Sequence, residues 1–191
     1  MNLDAILRQL GYTEAWIACG IVDEAFLREQ YAEYSSSEDK NQEHYRAHAF
    51  SSFLANVEGF PDELLGRILD LSDRGPDGRD LSDCRIVALL ESGRLTDEQL
   101  ASVSERCARV LQPPIQSRYL RESLSRKIRR TGVAANFEQI KAMADSHVEL
   151  EVLSHSEIAK PHVQWLAASG SNMAVRNRAT ELLRSRRFRD T

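Results

Sequence analysis

The chain has 191 residues and a formal charge of −4, with 42% hydrophobic and 28% charged residues, the balance of a globular protein with a buried core rather than a disordered or fibrous one. No apolar run approaches the roughly 20 residues of a membrane span, and Met1-Asn2-Leu3-Asp4 lacks the basic and apolar regions of a secretory leader; the expectation is a cytoplasmic protein without membrane contact. Cys19, Cys84 and Cys107 are odd in number and show no CxxC spacing, which argues against a disulfide framework or zinc ribbon and fits small buried hydrophobes in a reducing compartment.

Along the chain, one phrase returns. Gly20-Ile21-Val22-Asp23-Glu24-Ala25-Phe26-Leu27 reappears at Gly59-Phe60-Pro61-Asp62-Glu63-Leu64-Leu65 and at Gly93-Arg94-Leu95-Thr96-Asp97-Glu98-Gln99-Leu100. Asp23 and Asp62 are 39 residues apart, and Asp62 and Asp97 are 35 apart. A fainter copy from Gly132 to Ile140 places Asn136 39 residues beyond Asp97. Recurrence over roughly 20–50 residues marks a helical-repeat array.

Each copy reads as a helix boundary. The glycine ends one helix in a left-handed conformation. An apolar residue and a capping position follow, and then acids that favour the positive end of the next helix dipole. Thr96 and Gln99 have the spacing of a capping box, as do Ser154 and Glu157. The five-residue spacing of a hydrophobic staple joins Ile21 to Phe26, Phe60 to Leu65, Leu95 to Leu100 and Leu153 to Ile158.

Between these boundaries the apolar residues follow helical spacing. Phe50, Phe53, Leu54 and Val57 form one stripe. Leu100, Val103, Cys107 and Val110 form the next, followed by Leu120, Leu124 and Ile128, and then by Val175, Ala179, Leu182 and Leu183. Ser35–Asn41 and Asp73–Asp80 read as loops, and Pro113-Pro114 as a helix stop that can open the next helix. About ten short helices follow, paired through short loops. The predicted fold is all-α, a short right-handed α-solenoid of about four to five antiparallel hairpins in one domain, 1–191.

Charge divides along this array. Residues 1–104 hold 9 basic and 20 acidic residues, a balance of −11, and residues 105–191 hold 16 and 9, a balance of +7. An acidic half suits a basic partner, and such a field steers charged partners. The basic half carries Arg126, Lys127, Arg129, Arg130, Arg176, Arg178, Arg184, Arg186, Arg187 and Arg189. These residues could neutralise nucleic-acid phosphates. They could equally serve as cations at helix C-termini and a solvated tail.

Catalytic signatures are missing from the sequence: it has no glycine-rich phosphate loop and no GxSxG. His44 and His48 stand four apart on one helix face, the spacing of a metal-binding pair, yet the apolar stripe at Phe50 and Phe53 turns them away from the core, and an exposed or groove-facing role is the reading preferred. Asp145, His147, Glu149, Glu151, His155 and His162 are ligand-type residues without a recognised spacing. No metal and no cofactor is expected. Trp16 and Trp165 are read first as packing residues. With Tyr31, Tyr34 and Tyr45 they are also the candidate anchors of a protein interface.

The stretch Leu166-Ala167-Ala168-Ser169-Gly170-Ser171-Asn172-Met173-Ala174-Val175-Arg176, with Ala179 beyond it, resembles the HEAT-like and leucine-rich-variant helical repeats. Those families often place an Asp shortly before the Val-Arg pair, where this chain has Asn172 and Met173. The resemblance implies an α-solenoid used mainly for protein binding, with a minority that bind DNA, including repair glycosylases. The expected function is therefore a non-catalytic protein-interaction module, in its concrete form an inhibitor or immunity-type protein whose acidic half binds a basic partner. The alternative is a nucleic-acid-associated repeat protein that uses the basic half.

Overall fold

Asn2, Asp23, Asn41, Asp145 and Asn172 each precede a helical stretch, and each side chain accepts a hydrogen bond from an amide of the turn that follows. Short polar side chains of this kind satisfy amides that have no partner within the helix. In the computed structural model, which describes residues 2–72, 83–108 and 113–189, such starts produce an all-α protein. The helices are α1 (Leu3–Leu10), α2 (Glu14–Ala18), α3 (Glu24–Ser36), α4 (Gln42–Asn56), α5 (Asp62–Ser72), α6 (Asp83–Glu91), α7 (Asp97–Ala108), α8 (Pro113–Met143), α9 (Ser146–Ser154), α10 (Lys160–Ser169), α11 (Met173–Leu183) and α12 (Arg186–Arg189). No strand occurs among the described residues, and none of the helices there is long and apolar enough to cross a membrane. The loop read at Asp73–Asp80 lies outside the described residues, as do the side chains of Cys84, Cys107 and Arg189. Cys19 is buried.

The recurring phrases fall at helix boundaries. Gly20, Gly93 and Gly132 have φ of 67°, 69° and 81°, the left-handed region that a side chain disfavours. Asp23 caps α3 by accepting from the Phe26 amide at 2.8 Å. The Thr96 amide donates to Gln99 Oε1 at 3.1 Å and the Gln99 amide to Thr96 Oγ1 at 3.2 Å, the reciprocal pair of a capping box. The second box is not formed. Ser154 ends α9, and its hydroxyl donates to the Leu150 carbonyl at 3.1 Å. Pro161, which lacks an amide hydrogen, occupies the first turn of α10, so that helix starts at Lys160 after an Ala159 without a side-chain cap.

The contacts gather into two compact units, Met1–Arg118 and Tyr119–Thr191. In the first, α1 packs against α3 and α4, α4 against α6, and α5 against α7. Its core includes Leu10, Trp16, Leu27, Phe50, Ile68 and Leu89. Two copies of the phrase touch directly there: Gln99 Nε2 donates to the Phe60 carbonyl and to Asp62 Oδ1, both at 2.7 Å. In the second unit α11 packs on α9, α10 and α12 around Ile128, Ile140, Val152, Val163, Leu166 and Val175. The stripe expected to begin at Leu120 begins instead at Leu124, since Leu120 is 47% exposed. Residues eight apart on a helix are offset by about 80° around the axis, so Leu120 leaves the face that holds Ile128.

Candidate functional site

Helices α3 and α4 of the first unit present two parallel stripes. On α3 these are Phe26, Glu29, Glu33 and, at its C-cap, Ser37; on α4 they are His44, His48, Ser52 and Asn56. The spacing of three or four makes successive members of each set surface neighbours, and the α4 set winds about 120° around its axis from His44 to Asn56. The two helices are held together beneath the stripes. The Tyr12 hydroxyl donates to Gln30 Oε1 at 2.7 Å, and Gln30 Nε2 donates to the Tyr45 carbonyl at 2.9 Å. Burial pushes the Tyr12 phenol well above its ordinary pKa, the Gln30 hydrogen bond opposing this only in part. Gln30 is 3% exposed, and a buried amide whose donor and acceptor are both used fixes one geometry.

Two concavities lie along this surface. The larger, of about 450 Å³, has Ile17, Ile21, Val22, Phe26, Phe53 and Val57 as its apolar lining, with Asp23, Ser52 and Asn56 supplying polar groups. The smaller, of about 210 Å³, is lined by Glu33, Ser37, Asp39, His44, Tyr45 and His48. Phe26 belongs to the first and His48 to the second. Their rings stack with centroids 6.2 Å apart and planes 20° apart, so the two concavities adjoin across this pair. His44 Nδ1 lies 2.8 Å from Asp39 Oδ2. The His44 hydrogen bond and, after it, the Asn41 amide hold the Asp39 carboxyl below its usual range, so the recess keeps an ionised acid at neutral pH.

The anchors expected from sequence separate into core and surface. Trp16 is fully buried, edge-on to Tyr12 at 5.0 Å and to Phe50 at 6.5 Å. Its Nε1 has no partner among the described residues. Tyr45 is 6% exposed and meets Tyr34 edge-on at 5.4 Å. Neither Trp16 nor Tyr45 is a surface anchor, because a side chain without accessible area cannot enter a partner's pocket; Tyr45 serves as a wall of the recess. Tyr31 and Tyr34 are half-buried, and the Lys40 ammonium stands 4.8 Å from the Tyr34 ring centroid. In the second unit Trp165 is half-buried, edge-on to Phe137 at 5.7 Å. Phe137 also packs on His162 at 4.1 Å.

Several of the candidate basic residues have structural partners. Arg126 Nε donates to Glu122 at 2.9 Å, and Arg129 pairs with Glu122 and Glu151 at 3.4 and 3.1 Å. Arg176 donates to the Gly170 carbonyl at 2.7 Å, and Arg187 to the Ile158 carbonyl at 3.0 Å and to Ser156. Arg178 sits 3.5 Å from Glu181. Lys127, Arg130, Arg184 and Arg186 are exposed.

Comparison with known protein families, with curated proteins and with solved structures returns no match.

Ligand-type residues are used structurally. Glu149 is fully buried and accepts from the Ser171 amide at 3.0 Å and from the Ser171 hydroxyl; it fastens the α10–α11 turn. Asp145 caps α9 and pairs with Arg121 at 2.5 Å. Among the described residues no group of three or more His, Cys, Asp or Glu is arranged to hold a metal ion. His44 instead pairs with Asp39, and His48 lies on Phe26.

The sequence pairs His44 with His48 as a possible metal site and groups Tyr34 with Tyr45 as anchors, but gives Phe26 only a staple role and Glu33, Asp39 and Asn56 no site role. The available signal was the four-residue step His44, His48, Ser52, Asn56, a polar stripe with no place in the core.

Proposed function

We propose that this protein is a non-catalytic interaction module, built of HEAT-like helical hairpins, whose acidic first unit engages a basic protein partner in the manner of an inhibitor or immunity protein. The observation that carries the reading is the pair of adjoining concavities on the α3–α4 surface, an apolar groove and an acid-lined recess. Interfaces draw their affinity from apolar anchors in desolvated pockets and their on-rate and selectivity from surrounding charge. Residues 1–118 hold 12 basic and 21 acidic residues, a balance of −9, whereas residues 119–191 hold 13 and 8, a balance of +5. The contact of Gln99 with Phe60 and Asp62, residues of two successive phrases, supports the repeat reading.

The nucleic-acid alternative draws on the basic residues of the second unit. Arg126, Arg129, Arg176 and Arg187 have protein partners there, so phosphate contacts at those four would cost existing interactions. The test is capture of host proteins on the immobilised full-length chain at low and high salt, alongside titration with duplex DNA and RNA. The reading expects a basic protein released by salt. Nucleic-acid binding with a steep salt dependence and no captured basic protein would refute it.

A further inference from the structure

We propose that the groove and recess of the α3/α4 surface are filled together by one helical segment of the partner, which carries a large apolar residue and, about two helical turns away, a Lys or Arg. This inference rests on the interaction reading above and specifies the partner's chemistry at the same surface.

Three observations on this surface lead to it. The first is the contrast in polarity between the two concavities. Phe26, Phe53 and Val57 line a groove of about 450 Å³, a size that accepts a large apolar side chain. Glu33 and Asp39 line the recess of about 210 Å³, and both acids are exposed. The second is the spacing. Ser52 and Asn56 line the groove, while His44 and His48 line the recess. An eight-residue displacement along a helix is about 12 Å, which a partner helix covers with residues seven or eight apart on one face. The third is the backbone. The groove is walled by α3, α4 and the non-helical segment 20–23, and no strand occurs among the described residues. An extended peptide therefore finds no strand edge to pair with, whereas a helix brings its backbone already satisfied.

The charge on this surface sets the sign of the partner. Asp23, Glu29, Glu33 and Asp39 are exposed on or beside it. The nearby cations have local partners: Arg28 with Glu24 at 2.6 Å, and Lys40 with the Tyr34 ring and the Tyr34 carbonyl. Both histidines are exposed, and His44 Nδ1 lies 2.8 Å from Asp39 Oδ2. A cationic side chain seated in the recess meets Asp39 and Glu33 at the surface, where the attraction is screened by salt.

The test is selection of displayed helical peptides, randomised at their exposed positions, against the full-length protein. Affinities of the selected peptides are then measured for the wild-type chain, for Asn56→Trp, which places an indole at an exposed position lining the groove, and for Glu33→Gln combined with Asp39→Asn. Thermal unfolding of each variant verifies its fold. The proposal expects a consensus of one large apolar residue and a Lys or Arg seven or eight positions away. Asn56→Trp should weaken binding about tenfold or more. The double charge variant should weaken it by about three- to tenfold at low salt, with little effect at high salt.

A neutral or acidic consensus, or no enriched peptide, overturns the proposal. So does a folded Asn56→Trp protein that binds the selected peptides as tightly as wild type. A basic partner captured equally by wild type and Asn56→Trp overturns the proposed occupant and leaves the interaction reading standing. Failure to capture any basic partner, while peptides of the expected consensus still bind at the groove and recess, overturns that reading and leaves the surface assignment.

Discussion

Gly132 sits inside α8 with φ 81° and ψ 167°, a combination almost confined to glycine. Around it, Asn136 Nδ2 donates to the Gly132 carbonyl and to Thr131 Oγ1, both at 2.8 Å, and Asn136 is 6% exposed. The substitution Gly132→Ala isolates the backbone contribution. A Cβ built at this position meets no atom within 4 Å, so neither overpacking nor a new contact enters. Holding alanine in this region costs about 1–3 kcal/mol. In an unbroken helix the same change would stabilise by about 1 kcal/mol, because alanine is the better helix former. The sign therefore decides between the two geometries. In urea, followed by circular dichroism, the expected loss lowers the midpoint by roughly 0.5–1.5 M for a slope of about 2 kcal/mol/M. A midpoint that rises would refute the argument, since it would mean that residues on both sides of Gly132 form one continuous helix.

Thr96→Ala removes one half of the observed capping box and should cost about 1 kcal/mol in thermal or urea unfolding, with Thr96→Ser close to wild type. Gly170→Ala would set a Cβ 2.6 Å from both the Leu166 carbonyl oxygen and Val175 Cγ1; because one of these is backbone, the expected loss is about 1–3 kcal/mol, and an unchanged melting temperature would show that the turn yields. Asp145→Ala deletes the cap of α9 and strips Arg121 of its partner, for a combined loss of about 2–3 kcal/mol by urea denaturation. Acid should destabilise the second unit in two stages. Burial first, and then the charge of Lys141, hold His162 below its ordinary pKa. The unfolded chain thus takes up this proton first, and stability falls as the pH drops below about 6.5. His162→Gln should flatten that first stage in a melting-temperature profile. Burial alone would raise the Asp145 pKa, but the Arg121 hydrogen bond and the Val148 and His147 amides outweigh it and leave it lowered. Its contribution is present above the unfolded carboxylate range, near pH 3.9, and disappears as the pH falls through the folded value.

The helix boundaries were legible in the sequence because they are local. Gly93, Thr96 and Gln99 lie within seven residues of one another, and the reciprocal hydrogen bonds of the cap need only that spacing. The capping box expected at Ser154 and Glu157 failed on a neighbour, since Pro161 delays the start of α10. Helical periodicity likewise picked out Phe50, Leu100, Val103, Leu124, Ile128, Val175 and Ala179, all of them buried. It could not tell that Leu120 would leave the apolar face while Leu124, four residues on, stayed in it.

Sequence by itself determined that this chain is all-helical, where several of its helices begin, and how its charge divides between the two ends, because capping, propensity and net charge depend on residues close together or merely on their count. Tertiary structure decided the rest. It buried Trp16 and Tyr45, turned Glu149 into a brace for Ser171 and assigned Arg176 and Arg187 to backbone carbonyls. It also set Phe26 against His48, so that an apolar groove and an acidic recess adjoin. These outcomes depend on contacts between residues about 6 to 30 positions apart, whose partners only the packing of helix on helix selects.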